Sequence, residues 1–180
     1  DMLLIIYARD ILPRYPGGTV IFDVKCTKAL AEEVEKAGGR PVMWKTGHSL
    51  IERHLRQERG VLAGELSGHL YFADEYFGYD DAMYASLRLL RILDRSSMPL
   101  SRLLDGVTRY PSTPEIRIAV PDAVKWQVVE RVRDRFRRAF PVSEIDGVKV
   151  FFPDGWALLR ASNTQPALVL RVEAENDAAL

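Results

Sequence analysis

The stretch Gly64-Glu65-Leu66-Ser67-Gly68-His69 sets a carboxylate, a hydroxyl and an imidazole on alternate positions between glycines. In extended backbone alternate side chains share a face, which puts Glu65, Ser67 and His69 together. They offer an acceptor, a donor–acceptor and a titratable group, an inventory suited to adjacent hydroxyls on a sugar. A plain glycine-flanked polar turn has the same composition. A second polar stretch, Arg160-Ala161-Ser162-Asn163-Thr164-Gln165-Pro166, supplies a guanidinium, hydroxyls, a carboxamide and backbone N–H groups. That set suits a phosphate dianion; the alternative is a polar hairpin loop with Arg160 in a surface ion pair.

The hydrophobic pattern predicts the elements that must position these groups. Leu4, Ile5, Ala8, Ile11 and Leu12 form one face of a first helix, capped by Asp1 and ended by Pro13, Pro16, Gly17 and Gly18. Residues 19–24 read as a buried strand, 27–36 as a helix stopping at Gly38-Gly39, and 41–45 as a second strand. Ser49 and Glu52 have capping-box spacing before a third helix carrying Leu50, Ile51 and Leu55. Residues 61–65 read as a third strand and 70–72 as a fourth. Asp80 or Asp81 caps a helix whose apolar stripe is Met83, Leu87, Leu90 and Leu93; metal binding or acid–base work is the other use of such a pair. Pro99 starts a short helix.

Alternating strands and helices predict an α/β fold, a three-layer domain with a mostly parallel mixed sheet. Open parallel sheets bind ligands outside the carboxyl ends of their strands. Lys25 follows the first strand, Lys45 and His48 the second, and Glu65, Ser67 and His69 the third, so all six fall on one rim. Residues 110–114, Tyr-Pro-Ser-Thr-Pro, read as an extended linker between domains at 1–109 and 115–180. The second domain reads as α+β, a small antiparallel sheet with helices on one face. Its elements are a half-buried strand at 115–120, a helix capped by Asp122 with Val129, Val132, Phe136 and Phe140 inward, an Asp146-Gly147 turn, and strands at 148–152, 156–161 and 167–174.

Lysine plus arginine number 25 and aspartate plus glutamate 25. With no net charge, no global field draws the chain to nucleic acid or an anionic membrane. Arg131, Arg133, Arg135, Arg137 and Arg138 share their helix with Glu130 and Asp134 and read as a solvated face. The single cysteine, Cys26, allows no internal disulfide and points to a reducing, cytoplasmic setting. No apolar run is long enough for a membrane helix, and the first residues have no signal-peptide pattern. Position 1 is not methionine and residues 176–180 read as the opening turn of a helix, so a piece of a longer chain is expected.

Four motifs then carry a resemblance: Phe22-Asp23-Val24-Lys25-Cys26-Thr27, Pro41-Val42-Met43-Trp44-Lys45-Thr46-Gly47-His48-Ser49, Gly64-Glu65-Leu66-Ser67-Gly68-His69 and Arg160-Ala161-Ser162-Asn163-Thr164. In this order they resemble the bacterial phosphomannomutase/phosphoglucomutase branch of the α-D-phosphohexomutase family. The resemblance implies four domains around a cleft, of which this chain holds the third and most of the fourth. It implies that Glu65 and Ser67 contact sugar hydroxyls, with Lys25, Lys45, Gly47 and His48 completing the substrate site. It further implies that Lys25, His48 and His69 assist proton transfer or bind the sugar phosphate, and that Arg160, Ser162, Asn163 and Thr164 bind phosphate.

The implied reaction interconverts hexose 1-phosphate and hexose 6-phosphate, of mannose or glucose, through a hexose 1,6-bisphosphate. It is an isomerase reaction of carbohydrate metabolism, run by a phosphoprotein with magnesium. The family's phosphoserine and its Asp-Gly-Asp-Gly-Asp-Arg magnesium loop lie in the first two domains and are not in this sequence. The chain alone is therefore expected to hold no metal ligands, to be inactive, and to need a phosphohexose and the N-terminal domains as partners. Leu66 stands where these bifunctional enzymes usually carry methionine, a volume-conserving change. The alternatives are a stand-alone sugar-phosphate-binding module and a fragment of a phosphoglucosamine mutase; glutamine is typical of the latter at position 66.

Overall fold

A computed structural model describes residues 1–180, in two compact units, Asp1–Arg109 and Tyr110–Leu180. In the first, β1 (Thr19–Asp23) is the central strand. It is buried throughout and pairs in parallel with β2 (Arg40–Trp44) and β3 (Leu62–Gly64). A strand covered on both faces needs apolar side chains both ways, as Val20, Ile21 and Phe22 provide. β4 (Leu70–Phe72) joins β3 antiparallel, giving the order β2-β1-β3-β4.

The parallel strands need crossovers, supplied by α2 (Lys28–Lys36) and α3 (His48–Gln57). Ile51 and Leu55 of α3 pack on Ile21, Ala63 and Tyr71. On the opposite face, Tyr7 of α1 (Met2–Ile11) meets Phe72 edge-on at 4.9 Å and donates its hydroxyl to the Ala85 carbonyl of α4 (Ala82–Arg95). Each such buried side chain stabilises the fold by about 1.5–3 kcal/mol. The result is three layers with a mostly parallel sheet. Because the order is 2-1-3, the chain reverses its winding between β1 and β3. That reversal is the place where open α/β sheets receive ligands.

The second unit is a five-stranded antiparallel sheet in the order β5-β9-β8-β7-β6. Its strands are β5 (Ile116–Ala119), β6 (Val142–Ser143), β7 (Val148–Phe152), β8 (Gly155–Ala161) and β9 (Ala167–Ala174). α5 (Asp122–Phe136) covers one face, with Val129, Val132 and Phe136 against Val148, Val150, Ala161 and Leu168. It is the one α-helix of that unit.

Several local expectations are corrected. Asp1 does not cap its own helix with its side chain; the carboxylate accepts the Thr27 N–H at 3.0 Å. α3 starts one residue before the Ser49–Glu52 capping box, on Gly47 at φ 134°, and Glu52 pairs with Arg56 instead. Met83, Leu87 and Leu90 of α4 are exposed. That helix turns Ala85 and Arg88 inward because the Arg88 guanidinium binds buried Asp74 at 2.8 Å and reaches Asp10. Burial opposes the charge on Arg88, but the Asp74 and Tyr84 bonds outweigh it and raise its pKa.

In the second unit, β5 is an exposed edge strand rather than half-buried. Asp122 is the first residue of α5, not its cap, and its carboxylate pairs with Lys125. Residues 110–114 are not a free linker. Thr113 exchanges bonds with Val172, N–H to carbonyl at 2.9 Å and hydroxyl oxygen to N–H at 3.0 Å, and Pro111 accepts from Ala174, so the segment lies along β9. Arg133 pairs with Asp134 and Glu144, and Arg137 with Asp134. No helix is long and apolar enough to cross a membrane.

Candidate functional site

Asp23, the last residue of β1, is fully buried. Its Oδ1 accepts the Leu66 N–H at 3.2 Å and the Cys26 thiol at 3.1 Å. Its Oδ2 accepts the Thr46 hydroxyl at 3.1 Å and lies 3.4 Å from the Lys25 ammonium. One carboxylate thus touches the exits of β1, β2 and β3. A second repeats the pattern from the other side. Glu65, 4% exposed, accepts the Gly47 N–H on Oε2 at 3.2 Å and the Tyr71 hydroxyl on Oε1 at 3.1 Å. Burial first, then the negative charge of Glu65, push the Tyr71 phenol well above its ordinary range, so it stays a donor.

The segment after β3 is not extended. Gly64 and Leu70 face each other in the antiparallel pair, so the chain must reverse between them. Glu65 N–H donates to His69 O, Gly68 N–H donates to Glu65 O, and Gly68 sits at φ 99°, where glycine is favoured. The alternation that puts Glu65, Ser67 and His69 on one face therefore fails. Glu65 points in, Ser67 is exposed, and His69 swings to Asp80, with Nδ1 2.6 Å from Oδ2. Asp80 also accepts the Leu70 N–H, fixing the hairpin's outer end. Its neighbour Asp81 caps α4 by accepting the Tyr84 N–H.

The six predicted rim residues thus divide. Lys25 and Glu65 are buried against the paired carboxylate cluster, which also holds Gly47. Lys45 and His48 are exposed at the β2 exit and Ser67 at the β3 exit, and His48 opens α3. His69 is tied to Asp80 at the margin.

The loop between β8 and β9 has a different construction from the free set of donors its composition implies. Ser162 is buried, and its Oγ accepts the Gln165 N–H at 3.2 Å and the Thr164 N–H at 3.4 Å. Its hydroxyl therefore shapes the loop. Lys125 of α5, also buried, donates to the Ser162 carbonyl at 2.6 Å and the Gln165 carbonyl at 3.1 Å. Asn163 and Thr164 are exposed. Arg160 is not in a surface pair: it is 7% exposed and its Nε donates to Asp146 of the Asp146-Gly147 turn at 2.9 Å.

Asp23, Tyr71 and Lys125 are the functional candidates the sequence did not single out. A carboxylate closing an otherwise apolar strand was the available signal for Asp23. Lys125 and Asp122 at helical spacing have the look of an ordinary surface pair. No group of three or more His, Cys, Asp or Glu side chains is placed to hold a metal ion.

A doubly wound α/β unit with its polar exits at the switch point, followed by an antiparallel α+β unit with a built polar loop, defines the class. Residues 1–110 match the description "Phosphoglucomutase/phosphomannomutase, alpha/beta/alpha domain III", and residues 115–180 match its "C-terminal domain". The chain belongs to the phosphoglucomutase/phosphomannomutase family. It is 47% identical to a phosphomannomutase/phosphoglucomutase of Pseudomonas syringae over all of its own length and 39% of the relative's. A crystal structure of a family protein from Burkholderia thailandensis is similar at TM-score 0.87 and 46% identity, covering 99% of this chain and 38% of that one. The fold is shared with Aspergillus fumigatus N-acetylphosphoglucosamine mutase in complex with glucose 1,6-bisphosphate, at TM-score 0.65 and 15% identity over 98% of this chain and 39% of that one. The chain thus spans about two-fifths of the length of such relatives.

Proposed function

We propose that this chain is the sugar- and phosphate-recognition part of a phosphohexomutase that interconverts hexose 1-phosphate and hexose 6-phosphate of glucose or mannose. The observation that carries the reading is the convergence of three strand exits on Asp23 and Glu65 at the switch point of the sheet. Glu65 and Ser67 read sugar hydroxyls, and Lys25, Lys45, Gly47 and His48 complete that site. Lys25, His48 and His69 take the assisting proton-transfer roles. Glu65 keeps capacity for a ligand donor, because a carboxylate has about four lone-pair sites and two are used here. Arg160, Ser162, Asn163 and Thr164 form the phosphate loop, Ser162 by shaping it.

The sugar bisphosphate named for the Aspergillus structure fits this reading as the intermediate. Phosphoryl transfer also needs a phosphoryl donor and a metal to neutralise developing charge. We assign the phosphoserine and magnesium loop to the portion of the relatives that this chain does not span. The buried thiol of Cys26, in no disulfide, suits a reducing, cytoplasmic setting.

Calorimetric titration of the chain with glucose 1-phosphate, glucose 6-phosphate, glucose and inorganic phosphate tests the reading. Both sugar phosphates should bind weakly, each more tightly than glucose or phosphate. Equal or absent binding of all four contradicts it. With glucose 1-phosphate, magnesium and glucose 1,6-bisphosphate the chain should show no turnover, and turnover well above background contradicts the division of labour.

A further inference from the structure

We infer that Asp23 is the positioning residue of this site: its carboxylate sets the Glu65–His69 turn, the Thr46–Gly47 backbone and the Lys25 ammonium in register with one another. Carboxylates are costly to bury unless paired and hydrogen-bonded. Asp23 is fully buried at the end of a strand whose other members are mostly apolar, where valine would satisfy the strand pattern. What it has in exchange is four donors: the Leu66 N–H, the Cys26 thiol, the Thr46 hydroxyl and the Lys25 ammonium. An ionised carboxylate accepts at about four lone-pair sites, so the set matches its capacity. Those donors follow three different strands.

The turn's own bonds, Glu65 N–H to His69 O and Gly68 N–H to Glu65 O, close it without orienting it toward β1. Two bonds between side chain and backbone tie it to the neighbouring exits: Asp23 to Leu66 N–H, and Glu65 to Gly47 N–H. Asp23 also fixes Thr46, next to Gly47, so the two ties share one anchor. Its two oxygens divide the work. Oδ1 holds the turn and the thiol, while Oδ2 holds the β2 exit and Lys25.

The geometry stands without any ligand; only its consequence for affinity rests on the sugar-phosphate reading. Amide hydrogen exchange on the full chain, ligand-free, tests it with two variants. In Asp23→Ala the Leu66 amide should exchange at least about tenfold faster, with the β1 and α2 amides close to wild type. Asp23→Asn keeps one carbonyl oxygen and should restore protection at Leu66 but not order at Thr46–Gly47. An unchanged Leu66 amide, or a uniform rise across the first unit, overturns the inference. Should Asp23→Ala not fold, Asp23→Asn decides alone, since equal loss at Leu66 and Thr46 contradicts the division of oxygens.

The second readout is glucose 1-phosphate affinity, expected to fall at least about tenfold in Asp23→Ala and to recover in part in Asp23→Asn. Unchanged affinity alongside altered exchange overturns the positioning role. A wild-type chain that binds no sugar phosphate refutes the functional reading and leaves Asp23 to the exchange data.

Discussion

Replacing Tyr71 by phenylalanine removes one oxygen from the base of the candidate site and little else. The ring is fully buried among Ile21, Ile51, Leu55 and Ala63, and phenylalanine fills the same space. What is lost is the hydroxyl donated to Glu65 Oε1 at 3.1 Å; the Gly47 N–H on Oε2 remains. A hydrogen bond to a charged group contributes about 1.5–3 kcal/mol, and a buried acceptor left short of a donor costs a similar amount. A loss of about 2 kcal/mol is therefore expected, roughly 30-fold in the unfolding equilibrium and about 8 °C in melting temperature for a unit this size.

The pH dependence gives a second signature. The Tyr71 phenol is raised by burial and by Glu65, so its folded value lies above its unfolded value of 10.0. Stability from that difference is fully present below the unfolded value and is lost as pH rises past it, by at most about 1.4 kcal/mol per pH unit. The variant lacks this alkaline slope, so the gap between the two proteins should narrow above about pH 10. Urea unfolding read on amide signals of the first unit, near pH 8 and near pH 11, measures both. A loss under about 0.5 kcal/mol at the lower pH, or equal alkaline slopes, refutes the reasoning.

Other perturbations have equally definite outcomes. Lys125→Met keeps length and removes the ammonium from the Ser162 and Gln165 carbonyls; loop amides should exchange faster and glucose 6-phosphate affinity fall about tenfold by titration. Gly147→Ala places a Cβ 2.4 Å from the Leu159 carbonyl at a φ of 76°, so the second unit should lose more than about 2 kcal/mol by urea unfolding while the first is unchanged. The Asp81 carboxyl is held below its ordinary value by the Tyr84 N–H and then the Tyr76 hydroxyl. That stability is present above about pH 4 and lost as pH falls below it. Amide protection in the first turn of α4 should therefore drop in acid in the wild type and be insensitive to acid in Asp81→Asn.

The layered order of the first unit was legible because β1 is apolar on both faces and Gly38-Gly39 punctuates the first crossover. In the second unit β7, β8 and β9 were legible through their alternation and the Asp146-Gly147 turn, whereas the two-residue β6 was not. What could not be read was polar organisation over distance. Periodicity assigns an apolar face to α4, but the inward face is chosen by Arg88 finding Asp74 and the sequence-distant Asp10. The rim residues were legible from the strand ends, whereas the inward turn of Glu65 needed Tyr71 and Gly47 in place. Ser162 reads in the sequence as a phosphate contact, yet its hydroxyl oxygen accepts the Thr164 and Gln165 N–H groups of its own loop.

The most direct test of the account is an amide chemical-shift map of the chain titrated with glucose 1-phosphate. The account predicts perturbations in the first unit at Lys25, Thr46 to His48 and Glu65 to His69, and in the second at Ser162 to Thr164, with inorganic phosphate reproducing only part of the pattern. Shifts confined to the outer face of α4 or to the arginines of α5, with the three strand exits silent, would contradict it.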